Sequence, residues 1–138
     1  MVADIEAMSH QVFVLPRDYC ALGFLWWPDG DLSGELVEYR MVKHFFDATS
    51  SPSVGNFCLK KTAEIDKEDP EVEDVINRNI YVDDLMKSTN TTTNAIALVD
   101  KLRRCLREGG FRLTKWYSND REVIASVPDS ERAKAFVN

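Results

Sequence analysis

Between Thr91 and Gly110 the sequence TTTNAIALVDKLRRCLREGG spaces Ile96, Val99, Leu102 and Leu106 three and four positions apart, which is one apolar stripe on a helix. Threonines ahead of the stripe supply a cap, and Gly109–Gly110 supply a stop. The stripe is a core face, and Arg103, Arg104 and Arg107 are expected on the outer face as solvated charge. Ser/Pro start signals and apolar Val54, Phe57, Cys58 and Leu59 predict a second helix in SSPSVGNFCLKKTAE, and Pro70 opens a short third one in EVEDVINRN. VADI reads as a strand, and EAMSHQVFV as a short helical or extended passage that Pro16 interrupts. ALGFLWW and ELVEYRMVKHFF flank the turn cluster PDGDLSG and predict a hairpin. IYVDDLM predicts a strand pair turning at its two aspartates, and FRLTKWYS with EVIASV a final strand pair. This order, with the early hairpin as an insertion, predicts an α+β, split βαβ fold with an antiparallel sheet covered by helices on one face.

At 138 residues, 44% hydrophobic and 10% aromatic, the chain has one domain's worth of core. No apolar run reaches the length of a membrane span, and MVADIEAMSH has no basic n-region or apolar h-region. Cys20, Cys58 and Cys105 are odd in number and without paired spacing, which argues against a disulfide framework or a zinc cluster. The expectation is a soluble, intracellular chain, cytoplasmic or nuclear. The net charge of −6 is local: EIDKEDPEVED, from Glu64 to Asp74, holds seven acids and one base, and outside it acids and bases balance at sixteen each. That block reads as an exposed loop and helix start.

Asp83 and Asp84 are adjacent carboxylates between apolar neighbours. Two such charges about 4 Å apart repel by roughly 1 kcal/mol in water and about 4 kcal/mol at an effective dielectric near 20, so a half-buried pair needs compensation. A solvated turn is one answer and a divalent cation is another. Asp4 lies 79 positions before Asp83, at the end of the first strand. A split βαβ topology sets those strands side by side, so three carboxylates can converge on one sheet edge. Two other readings of the acidic residues fail. Asp29, Asp31, Ser33 and Gly34 mimic a calcium loop, but Arg40 stands where a bidentate Glu is needed and strands flank it. An aspartic protease needs an Asp-Thr/Ser-Gly triplet, which the sequence lacks. Asn90-Thr91-Thr92 matches a glycosylation acceptor, but its expected role is capping the following helix.

Four blocks in order, VADIEAM, HFFDATSSPSVGNF, YVDD and GGFRLTKWYSN, resemble the reverse transcriptase palm of BEL/Pao-type LTR retrotransposons over nearly the whole chain. The resemblance implies a polymerase palm of the ferredoxin-like kind. It implies an RNA-directed DNA polymerase that transfers a nucleotide from dNTP to a primer 3′-hydroxyl. Asp4, Asp83 and Asp84 would hold two Mg²⁺ ions, with Mn²⁺ as a substitute, and Lys115 would protonate the leaving pyrophosphate. Ser9, Phe46, Asp47 and Tyr81 are the corresponding substrate-binding positions. Trp116 and Tyr117 belong either to the primer grip or to the core. Ser9 stands where the family usually has an aromatic beneath the sugar, and Asp47 where it usually has glycine. The implied partners are an RNA or DNA template with primer, dNTP and the remainder of the retrotransposon polyprotein, and no membrane. The expected unit is a single partial palm over residues 1–138, without fingers, thumb or ribonuclease H. The alternative is a catalytically inactive transposon relic that acts at most as a metal-binding or interaction module.

Overall fold

The computed structural model describes residues 1–45, 48–65 and 69–134. In chain order these form β1 (Val2–Ile5), α1 (Met8–Gln11), β2 (Gly23–Trp26), β3 (Val37–Arg40), α2 (Ser51–Ile65), α3 (Pro70–Arg78), β4 (Ile80–Tyr81), β5 (Asp84–Met86), α4 (Thr92–Glu108), β6 (Leu113–Tyr117) and α5 (Arg121–Ala125). One sheet has the order β4-β5-β1-β6 with every neighbouring pair antiparallel, and β2 and β3 form a separate ribbon. Leaving out the ribbon and the two shortest helices, strand, helix pair, hairpin, helix and strand give the split βαβ arrangement, so the fold class is α+β as expected.

Alternation along the strands decides which face is covered. Ala3, Ile5, Ile80, Leu85, Leu113 and Trp116 are buried and join Leu59, Ala63, Val75, Ile76, Leu98, Val99, Leu102 and Leu106 of α2, α3 and α4 in one core. Val2 and Asp4 of β1, Asp84 and Met86 of β5, Tyr81 and Tyr117 carry the other, open side of the sheet. A one-residue slip would exchange the two sets, so core burial fixes the register and thereby the side on which the carboxylates stand.

Local signals place the helices. Asp69 caps α3 by accepting from the backbone N–H groups of Glu71 and Val72, and its other oxygen meets Lys101 Nζ of α4 at 2.7 Å. Within the acidic block, Asp69 is thus the cap of α3 and Glu71 and Glu73 lie in its first turn, where their charge complements the helix dipole; residues 66–68 lie outside the described residues. Thr91 caps α4 through Asn94 N–H. The end of α4 is a Schellman motif: Phe111 N–H donates to Leu106 C=O at 2.8 Å and Gly110 N–H to Arg107 C=O at 3.0 Å, with Gly110 at φ +82°. Glycine also permits close approach, since a Cβ on Gly55 of α2 would reach 2.8 Å from the Met8 side chain of α1.

Three expectations need correction. EVIASV is not a strand: Asp120 accepts from Glu122 N–H and starts α5, which buries Val123, and β6 pairs instead with β1. Ile96 packs against the core only from its margin and is half-buried, because the packed face of α4 is centred on Ala95, Leu98, Val99, Leu102, Cys105 and Leu106. Arg103 is not solvated: its side chain is 16% exposed and its Nε donates to Glu131 Oε2 at 2.8 Å, while Arg107 and Arg112 reach Glu131 Oε1. The early hairpin is present, but all eight residues of β2 and β3 are exposed, including Phe24, Trp26 and Tyr39. Among the described residues no helix is long and apolar enough to cross a membrane.

Candidate functional site

Asp4 and Asp84 are direct cross-strand partners, one on β1 and one on β5. Directly opposed residues hold their Cβ atoms roughly 5 Å apart, and like charges there are destabilising. Asp83 is half-buried in the turn beside them, and its backbone C=O accepts from Ile5 N–H at 2.7 Å, tying the turn to the end of β1. Topology therefore brings all three carboxylate-bearing residues to one end of two central strands.

The turn differs from the sequence reading in one respect. Tyr81 pairs with Asp84, so the two turn residues are Val82 and Asp83, and Asp84 already belongs to β5. Val82 takes φ +57° while Asp83 stays at negative φ, the pattern of a type II′ turn. A β-branched residue at positive φ is strained, and such strain persists only where the surroundings over-determine it. Here the pairing on one side and the Ile5–Asp83 hydrogen bond on the other fix the turn.

Lys115 reaches the same place from β6. Val2 pairs with Tyr117 and Asp4 with Thr114, so β6 carries one residue more than β1 over that stretch. The extra residue is Lys115, at φ +53°, and the bulge sends its amine to Asp4 Oδ2 at 3.0 Å. The hydrogen bond to Asp4, then Asp4's charge, raise the Lys115 pKa above the ordinary lysine value, and the charges of Asp83 and Asp84 add to the effect. The amine's ion pair is with Asp4, and Asp83 and Asp84 act on it through their charge alone. The sequence carries a hint of the bulge: apolar Leu113 and Trp116, both buried in the structure, stand three positions apart, which breaks the period of two.

The donor set is all oxygen, the chemistry that suits a hard cation such as Mg²⁺. As they stand, however, the described residues contain no group of three His, Cys, Asp or Glu side chains gathered to hold a metal ion. The Asp4 carboxylate is turned toward Lys115 instead.

The other candidate positions separate. Tyr81 is 80% exposed, next to the turn and paired with Asp84. Ser9 is half-buried on α1, the short helix that follows β1 directly. Phe46 and Asp47 lie outside the described residues. Trp116 is a core residue at 1% exposure, whereas Tyr117 is 62% exposed on the open side. The loop that mimics a calcium site is closed on itself, since Asp31 Oδ1 accepts from the hydroxyl and from the N–H of Ser33, which in that order lower the Asp31 pKa. A polar hollow of about 340 Å³ lined by Ser88, Asn90, Thr92, Asn119 and Asp120 lies at the other end of the sheet, beyond the Val2–Met86 pair and away from the carboxylates.

No family model matches the chain, and no curated protein matches it.

Proposed function

We propose that this chain is the palm-like core of an RNA-directed DNA polymerase of the BEL/Pao retrotransposon type, which joins dNTP to a primer 3′-hydroxyl on an RNA or DNA template. The observation that carries the reading is the cross-strand pairing of Asp4 with Asp84 on the open side of the sheet, with Asp83 in the adjoining turn. Asp4, Asp83 and Asp84 would hold the Mg²⁺ ions, or Mn²⁺ in their place. Bound there, divalent cations lower the pKa of the primer hydroxyl and neutralise charge on the transferring phosphoryl group and the departing pyrophosphate.

The chain's own residues have separable tasks in this reading. The type II′ turn and the Ile5–Asp83 hydrogen bond fix the backbone that carries Asp83 and Asp84 beside Asp4, so that only side chains would have to rearrange to assemble the site. Tyr81, exposed beside the turn, offers a flat surface and a hydroxyl to the primer end. Lys115 Nζ holds a proton beside the carboxylates and would deliver it to the departing pyrophosphate. Ser9 presents a small side chain where the incoming sugar would lie, so a 2′-hydroxyl would meet little steric resistance. The template, the primer and the remaining polyprotein are partners on this reading. That same Ser9 favours the second reading, an inactive relic that keeps the sheet and its carboxylates without selecting nucleotides.

The test is to graft residues 1–138 into an intact polymerase of the same family and measure Mg²⁺- or Mn²⁺-dependent primer extension. Extension well above an Asp83→Asn graft is expected. A wild-type graft no better than that control would remove the active reading and leave the relic.

A further inference from the structure

The β6 bulge has a cost and an evident product. Lys115 sits at φ +53°, in a backbone region where bulges ordinarily place glycine and where an L side chain is strained. Any residue there would complete the bulge, yet this one projects an amine onto Asp4. Thr114 on one side of Lys115 and Trp116 on the other are buried, so the flanking register is fixed and the amine cannot leave by a slip of the strand. Its side chain is 69% exposed and long, so the amine itself can swing away from Asp4 without disturbing the core.

We propose that Lys115 is an internal counter-ion that holds the Asp4 carboxylate whenever no divalent cation is seated, and that it must give up Asp4 for a cation to bind. This rests on the reading above that Asp4, Asp83 and Asp84 are the cation's ligands. Asp4 and Asp84 face each other across two central strands, and without a cation between them their repulsion works against the pairing of β1 with β5. Lys115 relieves that repulsion in the metal-free protein. An ammonium and a divalent ion on one small carboxylate cluster repel each other, so each weakens the other's hold. The coupling is reciprocal, and Lys115 thereby sets the affinity of the site for its metal.

The experiment titrates the 138-residue chain with Mn²⁺, following free Mn²⁺ by its electron paramagnetic resonance signal. The variants are Lys115→Gln, Lys115→Gly, Lys115→Arg and Asp4→Asn, each checked for folding by circular dichroism. Lys115→Gly is included because it removes the amine and relieves the positive φ together. About tenfold tighter Mn²⁺ binding is expected in Lys115→Gln and Lys115→Gly, within the range of ordinary site-to-site coupling. Lys115→Arg, which keeps the charge, should bind like wild type. Equal Mn²⁺ affinity in wild type, Lys115→Gln and Lys115→Gly, with weaker binding in Asp4→Asn, would overturn the counter-ion role and leave the carboxylate site standing. Mn²⁺ binding that is undetectable in all variants, or unaffected by Asp4→Asn, would overturn the site assignment and the counter-ion role with it.

Discussion

Gly109 and Gly110 adjoin at the end of α4, and replacing each by alanine should destabilise the protein for opposite reasons. At Gly110 a Cβ would meet nothing within 4 Å, but φ is +82°. Only the backbone objects. The left-handed region costs an L residue about 1–2 kcal/mol, partly offset by the reduced freedom of alanine in the unfolded chain, so Gly110→Ala should cost about 1 kcal/mol. At Gly109 φ is −79°, which any residue adopts, but a Cβ would overlap Thr62 Oγ1 and Cγ2 and come within 2.9 Å of Thr62 Cβ. Thr62 is β-branched, and its hydroxyl donates to Cys58 C=O at 3.0 Å, so it yields poorly. Overpacking of this kind costs about 1–3 kcal/mol. Urea unfolding followed by circular dichroism gives both values. In a Thr62→Ala background, Gly109→Ala should recover about 1 kcal/mol or more, whereas the cost of Gly110→Ala should be unchanged. A Gly109→Ala penalty that is the same in both backgrounds would refute the steric account.

Two further outcomes concern charge. Glu131 is 4% exposed and holds Arg103, Arg107 and Arg112, so Glu131→Ala leaves Arg103 charged and largely enclosed; a loss of about 3 kcal/mol in urea unfolding is expected, against little change for the exposed Arg104→Ala, and equal small effects would show that the cluster is not structural. Asp120 is held below the usual carboxylate range by the Thr92 hydroxyl first and then by Glu122 N–H; a lowered folded pKa contributes stability that is complete above the unfolded value and is lost as pH falls through the folded one, so Asp120→Asn should flatten the decline of melting temperature below about pH 4. Parallel acid limbs for wild type and Asp120→Asn would refute that assignment.

Much of the site was legible because its parts are local. Asp83–Asp84 between Tyr81 and Leu85 announces a tight hairpin, and the distance from Asp4 with a helix region between implies a split βαβ neighbour. Which turn residue carries the strain was not legible: YVDD does not say whether Val82 or Asp83 takes positive φ, because pairing of Tyr81 with Asp84 decides it. EVIASV misleads because Val123 and Ile124 favour strands, but Asp120 caps a helix there, and the outer edge of β6 is met by Arg132 instead. Arg103 falls on the outside of its helix by periodicity, and a carboxylate 28 positions later covers it.

Periodicity, caps and turn residues act over a few positions, so the sequence by itself determined α2, α3 and α4, the two hairpins and the carboxylates set at strand ends. Tertiary structure alone decided what lies opposite what: Asp84 against Asp4, Glu131 under three arginines, and the amine of Lys115 on Asp4. Those pairings join residues far apart in the chain. Their energies depend on distance and burial in the folded state, which no local pattern encodes.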